Sequence, residues 1–472
     1  MASLAGLRPI DPTATAFLLA ESRKMPIHVG ALHLYEPPPD AGPDFTRAMY
    51  EHMRDSTHPS PLFRKHPHRS WRTAGIPMWR TDEEFDIEHH LRHSALPAPG
   101  RVRELFELCG RLHSSRLGWD RPMWEMHVIE GLADGRVATY TKLHHALLDG
   151  VAAMRLLASV LSTDPERRGM PAPFADGAAP PRDKRLAPAG ASAFPGADVL
   201  RSALSLSAEA AGMPSALLRT LARGVRNETS AVSLSAPRTL LNRPITGSRR
   251  VAAQDWPVPR LRAVARAGDA TLNDVVLAMC SGAMRRYLNE LDALPEESMV
   301  AMVPIGLNAR QVAVASAEGG NAVGSVMVRL ATHRPDPADR LATISASMRD
   351  GKQALATMTP AQIVAMSALG MAPAVALPML GLHRLAPPPF NLIISNVPGP
   401  KVPHYWNGAR LVGSYPLSIP IDNMALNITC TSYDDKMGFG LTGCRRTVPH
   451  LQRLLTHLDE ELVALERAVG AS

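Results

Sequence analysis

His144-His145-Ala146-Leu147-Leu148-Asp149-Gly150 puts two adjacent histidines and an aspartate on the passage from a strand into a helix. Upstream, Arg136-Val-Ala-Thr-Tyr-Thr-Lys-Leu143 is β-branched and aromatic, the composition of a buried strand. Downstream, Val151, Met154, Leu157 and Leu161 recur at helical spacing, with Asp149 and Gly150 at the helix start, where an acidic side chain favours the positive end of the dipole. Neighbouring strand residues point to opposite faces, so only one imidazole faces a given cleft. With an unperturbed pKa of about 6.5, that imidazole suits a general base that takes a proton from an alcohol, amine or thiol. Adjacent side chains diverge and no carboxylate or cysteine completes a ligand set, so a metal site is not expected.

A chain of 472 residues with 45% apolar content is long enough for two or three domains and a large core. Its net charge of +7 and pI near 9.4 are compatible with CoA phosphates, lipid headgroups or nucleic acid, and select none of them. Cys109, Cys280, Cys430 and Cys444 are far apart, which indicates neither a zinc site nor a disulfide scaffold and makes a reducing compartment the default. Pro9, Asp11, Pro12, Glu21 and Arg23 interrupt any signal-peptide core, and a cytoplasmic location is expected.

Taken in order, residues 9–23 predict a short helix and 26–35 an alternating strand, both scaffold. His89 and His93 have the spacing of a helical metal pair but no third ligand, and a solvated basic face is the simpler reading. A helix follows over 103–117. Arg121-Pro122-Met123-Trp124-Glu125 then leads into a strand over 126–130, with Trp124 read as core. Between Asp164 and Asp198 seven prolines stand among many Ala and Gly, a linker or surface crossover. The chain is thereby divided into 1–163, the linker 164–198, and 199–472.

Amphipathic segments over 199–211 and 215–225 open the second half. Thr271-Leu-Asn273-Asp274 resembles a capping box with Asp in place of Glu and introduces a helix over 275–288, so Asn273 and Asp274 are explicable as cap chemistry alone. Strands are predicted at 299–305 and 325–330, and a helix around 339–355. Residues 353–383 contain no Asp, Glu, Lys or Arg, yet Pro360, Pro373 and Pro378 argue against a spanning helix and for buried packing. Part of 365–382 is expected to form an apolar wall or interfacial patch for acyl chains. Phe390 to Pro400 predicts a strand ending in a turn, 424–432 and 437–442 a hairpin, and 449–465 a last amphipathic helix.

The spacing His-His-x-x-x-Asp-Gly resembles the signature of acyl-CoA-dependent acyltransferases related to chloramphenicol acetyltransferase and to peptide-synthetase condensation domains. Four further motifs, Arg-Pro-Met-Trp-Glu (121–125), Asn-Asp-Val-Val-Leu (273–277), Ser-Asn-Val-Pro-Gly-Pro (395–400), and Ala-Leu-Asn-Ile-Thr (425–429) with Ser432-Tyr433, keep order and register with it. Together they resemble the bacterial bifunctional wax ester synthase/diacylglycerol acyltransferase family from about Pro9 to Leu465. Leu18-Leu-Ala-Glu-Ser-Arg23 and Met25-Pro-Ile-His-Val-Gly30 are similar to that family's N-terminus.

The resemblance implies an α/β (α+β) fold of two chloramphenicol acetyltransferase-like domains, with the active site in a tunnel between them. It implies transfer of a long-chain acyl group from acyl-CoA to a fatty alcohol or diacylglycerol without an acyl-enzyme. His145 would be the base, His144 its neighbour, Asp149 a structural anion, and Gly150 the residue that permits the turn. Pro122, Trp124, Asn273, Asp274, Ser395 and Asn396 are supporting motif residues, and Asn396 or Asn273 would suit oxyanion stabilisation. No cofactor is implied, since acyl-CoA is a substrate. The partners implied are acyl-CoA, a lipid acceptor and, peripherally, the inner membrane or a lipid-droplet surface, with no nucleic acid. Ala14 stands where the family has Asp, Leu117-Gly118-Trp119 replaces Leu-Asp-Arg, and Pro304-Ile305-Gly306-Leu307-Asn308 replaces Pro-Val-Ser-Leu-Arg. These departures bear on substrate preference. The competing readings are a condensation-type domain, an acyltransferase for short or branched alcohols, and a non-catalytic lipid-binding protein.

Overall fold

The computed structural model describes residues 6–56, 58–148, 150–176, 235–306, 323–356, 358, 363 and 387–471. The first part runs β1 (Arg8–Pro9), α1 (Pro12–Ala20), β2 (His28–Glu36), α2 (Phe45–Arg54), β3 (Lys65–His68), β4 (Met78–Thr81), α3 (Ile87–His90), β5 (Leu91–Ala95), α4 (Val102–Ser114), β6 (Trp124–Glu130), β7 (Val137–His144) and α5 (Gly150–Ser159). The second runs β8 (Arg249–Pro257), α6 (Val258–Ala267), α7 (Leu272–Asn289), β9 (Val300–Gly306), β10 (Val323–Arg329), α8 (Pro337–Ala356), β11 (Leu392–Val397), β12 (Tyr405–Trp406), β13 (Ala409–Leu417), β14 (Leu426–Tyr433), β15 (Lys436–Cys444) and α9 (Arg453–Val469). The segments 199–211 and 215–225 and nearly all of 357–386 lie outside the described residues.

Two six-stranded sheets carry the fold, in the orders β12-β13-β2-β7-β6-β5 and β10-β9-β11-β14-β15-β8. Each mixes parallel and antiparallel pairs, β5 lying parallel to β6 and β11 parallel to both β9 and β14. The strand that ends in the first histidine, β7, is buried along its whole length because it is central in its sheet.

Division by sheet does not follow division by sequence. β12 and β13 come late in the chain, yet β13 runs antiparallel to β2 and completes the first sheet, pairing Ser414 with His33 and Leu417 with Gly30. The two sheets then meet where side chains are absent. A Cβ added to Gly440 would sit 1.9 Å from the Pro416 carbonyl oxygen, and one on Gly438 2.5 Å from that of Ser414, so β15 reaches the backbone of β13 only as glycine.

The Pro-rich stretch begins as packed chain. Met170, Ala172 and Phe174 are buried, Phe174 stacks on Trp124 at 5.0 Å, and the Trp406 indole donates to the Pro171 carbonyl. His89 and His93 do not share a helix, because α3 ends at His90 and the chain turns directly into β5. In the second half α7 begins with the reciprocal cap: the Thr271 hydroxyl accepts from the Asp274 N–H, and the Asp274 carboxylate accepts from the Thr271 N–H at 2.9 Å. Behind it α7, α8 and α9 bury a continuous hydrocarbon core against the second sheet.

Candidate active site

The histidine pair is fixed first by backbone. The His144 N–H donates to the Met123 carbonyl and the His145 N–H to the Ile27 carbonyl, both at 3.0 Å, so the pair is clamped between the start of β6 and the residue before β2. The two rings then part. His144 is fully buried, and its Nδ1 accepts from the Ala146 N–H at 3.1 Å. That bond leaves its proton on Nε2, which faces the Glu21 carboxylate at 3.6 Å. The His145 ring is half-buried and packs against Phe17 with centroids 4.3 Å apart.

Glu21 anchors this arrangement from the end of α1. Its side chain is completely buried, with one oxygen accepting from the Ile27 N–H at 3.2 Å and the other 3.0 Å from the Arg116 guanidinium. Burial alone raises a carboxyl's pKa, but His144, the Ile27 N–H and Arg116 more than offset it and hold Glu21 below its usual value.

A polar layer continues under the sheet on the His144 face. Lys142 is fully buried, donates to the Leu112 and Ser115 carbonyls at 3.1 Å each, and pairs with Glu125 at 3.0 Å. Burial pushes the Glu125 carboxyl up, yet His127 and Lys142 together draw it down to about 2. His28, the cross-strand partner of His144, contacts the His113 carbonyl at 3.0 Å, and His113 contacts the Tyr140 hydroxyl at 2.7 Å. Burial depresses both imidazoles, so they are neutral at ordinary pH.

The other sequence candidates fall at core, cap and strand positions. Asp149 lies outside the described residues, and Gly150 opens α5. The Pro122 carbonyl accepts from the Trp124 N–H, while the Trp124 indole donates to the Phe63 carbonyl at 2.9 Å between His90 and Phe174, a core position. Asp274 is buried in the α7 cap and also accepts from the Ser345 hydroxyl at 3.2 Å. Asn273 and Asn396 are brought together, the Asn396 amide donating to the Asn273 carbonyl oxygen at 3.3 Å. Ser395 sits beside them on β11, opposite Thr429.

Of the departures, Ala14 is buried and its N–H is capped by Asp11 at 2.8 Å. A Cβ on Gly118 would meet Asp120 at 2.4 Å, and Gly306 ends β9 opposite Val323. Asn308 lies outside the described residues.

Glu21, Arg116, Lys142 and Glu125 were not singled out by sequence reasoning. Lys142 alone carried a usable signal, a charge in the middle of a strand that otherwise reads as buried. Next to this framework, α5 and β13 meet the ends of β11 and β14 around a cavity of about 260 Å³, lined mostly by hydrocarbon.

Two mixed α/β units that share strands, with the histidine pair at the end of β7, are the architecture of the acyltransferases to which this chain is similar. The chain belongs to the wax ester synthase/diacylglycerol acyltransferase family: that family's catalytic domain matches residues 9–276 and its C-terminal domain residues 319–466. A putative diacylglycerol O-acyltransferase of Mycobacterium tuberculosis is 47% identical over 462 residues, 98% of this chain and 100% of that one. The solved wax ester synthase/diacylglycerol acyltransferase of Marinobacter aquaeolei VT8 is 40% identical, covers 98% of this chain and 100% of its own, and superposes with a TM-score of 0.78. The first condensation domain of the calcium-dependent antibiotic synthetase shares the fold at 17% identity and TM-score 0.59, over 98% of this chain and 97% of its own.

Proposed function

We propose that this acyltransferase moves a long-chain acyl group from acyl-CoA to a fatty alcohol or diacylglycerol, with His145 as general base. The observation that carries the assignment is the asymmetry of the pair: His144 is sealed and fixed in one tautomer, whereas His145 keeps a half-buried ring at the strand end. His145 accepts the hydroxyl proton as the oxygen bonds to the thioester carbonyl carbon. The tetrahedral intermediate then breaks its C–S bond, and the same imidazole returns the proton to the CoA thiolate, with no acyl-enzyme. The Asn396–Asn273 amide pair, ordered by its own hydrogen bond, is the candidate donor to the oxyanion.

Among the described residues no helix is long and apolar enough to cross a membrane. Peripheral attachment to the inner membrane or a droplet surface follows from the acceptor's partitioning, and Trp71, 85% exposed between Arg69 and Arg72, is the residue type that inserts at such an interface.

The test is thiol release from palmitoyl-CoA with hexadecanol or dioleoylglycerol. His145→Ala is expected to lower acceptor-dependent release by about 10² to 10⁴, and His144→Ala by less. Full activity in His145→Ala would overturn the assignment, and equal losses in the two variants would remove the distinction between the rings.

A further inference from the structure

The cavity beside α5 is largely apolar, through Met154, Leu157, Leu161, Val397 and Leu411; of the polar residues on its strand walls, Thr431, Ser432 and Tyr433 are hydrogen-bonded to backbone, and His33 and Ser414 stand apart from them. His33 and Ser414 face each other across the β2–β13 pair and are 4% and 6% exposed. Neither side chain has a hydrogen-bond partner among the described residues, and the one ring beside His33 is Tyr35, edge-on at 6.3 Å. An unpartnered polar group bordering an apolar cavity is costly unless it has a use.

Its position suggests that use. His33 is six residues along β2 from Ile27, the residue bonded to the His145 N–H, which is about 20 Å at roughly 3.3 Å per residue. α5 starts just after the histidine pair and Met154 lies four residues along it, about 6 Å at 1.5 Å per residue. Counted along these two elements, the cavity-lining residues Met154 and His33 stand roughly 6 and 20 Å from the end at which the histidine pair sits. An extended hydrocarbon advances about 1.25 Å per carbon, from C–C bonds of about 1.5 Å at near-tetrahedral angles, so 20 Å corresponds to about sixteen carbons.

We propose that this cavity seats the distal part of a long aliphatic chain, and that His33 with Ser414 forms the floor that sets the chain length the enzyme accepts. The inference rests on the acyltransferase reading and deepens it. A terminal methyl gains by filling the apolar stretch and stops gaining at the floor, where it meets polar groups instead of hydrocarbon. Burial draws the His33 pKa down to about 4, so at neutral pH the floor is uncharged and compatible with a chain end resting on it. Acyl and alcohol chains share this chemistry, and the experiment separates them.

Initial rates are measured for the wild type, His33→Phe, His33→Ala and Ser414→Ala in two series. The first varies acyl-CoA from octanoyl to arachidoyl at fixed hexadecanol, and the second varies the alcohol over the same lengths at fixed palmitoyl-CoA. His33→Phe is expected to shift the optimum to shorter chains and His33→Ala to longer ones. The kcat/KM ratio of palmitoyl to lauroyl substrates should change by about tenfold, the scale of a methylene or two in an apolar pocket. The series that moves identifies the chain. A variant that merely folds poorly lowers all lengths alike and leaves the ratio unchanged.

Displacement of bound cis-parinaric acid by lauric and palmitic acids reads the same preference without catalysis. A wild type inactive with every pair, but whose length preference in displacement follows His33, would overturn the catalytic reading and keep the floor. Unchanged length profiles in both series and in displacement would overturn the floor.

Discussion

The layer beneath the histidine pair, which runs from buried Lys142 out to exposed Arg116, and the core behind the second sheet are differently built. The first holds Glu21, Lys142, Glu125, His28, His113 and Arg116 in a chain of ion pairs and carbonyl contacts. The second is mostly hydrocarbon from α7 across to α9, its buried charges including Asp274 in the α7 cap and an Arg340–Glu461 pair beside Gly282, where an added Cβ would lie 1.8 Å from the Glu461 carboxyl carbon. A hydrocarbon core maximises stability per residue but fixes orientation only through shape. A hydrogen-bonded ionic layer gains little net energy and specifies angles, tautomers and register. The half that must aim an imidazole is built in the second way.

The sharpest way to break that contrast is to remove one partner of a buried pair. Lys142→Met leaves the partly buried Glu125 carboxylate and the Leu112 and Ser115 carbonyls without their cation, and a loss of up to about 3 kcal/mol in urea unfolding is expected. Lys142→Met combined with Glu125→Gln removes both charges and is expected to recover most of that loss. Leu458→Ala in α9, a fully buried hydrocarbon truncation, should lower stability by about 2–5 kcal/mol while leaving kcat/KM unchanged below the melting range. Lys142→Met should lower both. If Leu458→Ala impaired catalysis as much as Lys142→Met does, the division of labour between the two layers would be lost.

A second prediction concerns acid. The Glu125 carboxyl is held at about 2 in the folded chain, against 4.5 for its unperturbed value. Because the folded value is the lower one, the ionised pair contributes stability above the unfolded pKa and loses it as pH falls through the folded one. The full contribution is about 3 kcal/mol, lost between roughly pH 5 and pH 2. Urea unfolding across that window should show a slope that falls by up to about 1.4 kcal/mol per pH unit in the Lys142→Met/Glu125→Gln double variant. An unchanged slope would mean that other carboxylates dominate the acid limb.

The same contrast explains what was legible beforehand. The strand before the histidines, the helix after them and the cap at Thr271 were readable because each is coded within a few neighbouring residues, by alternation, 3.6-residue spacing and cap chemistry. The mixed α/β fold was implied by the family resemblance that the five motifs carry. The ionic layer was not. Glu21 at the end of a nine-residue helix reads as an ordinary surface carboxylate, and only the arrival of His144, Ile27 and Arg116 makes it buried. The placement of β13 beside β2 was equally hidden, since pairing partners far apart in sequence leave no local trace. His33 read as scaffold for the same reason: whether an inward-facing strand residue meets packed side chains or a cavity is decided by α5 and the β11–β14 ends.

The smallest expected effect tests the hydrocarbon half at the cap of α7. Thr271→Ala removes the hydroxyl that accepts from the Asp274 N–H, and loss of such a cap lowers stability by about 1 kcal/mol. Its consequence for the site is geometric. Asp274 is also held by the Ser345 hydroxyl, and Asn273, its neighbour in the first turn of α7, is the acceptor for the Asn396 amide. A frayed first turn would lengthen that amide contact without touching the histidines. Thr271→Ser, which keeps the hydroxyl, should retain wild-type stability and rate. Thr271→Ala should lower kcat more than it raises KM if the amide pair acts in the transition state. A variant that loses about 1 kcal/mol and keeps kcat intact would show the cap to be structural only, and would confine orientation chemistry to the layer under His144.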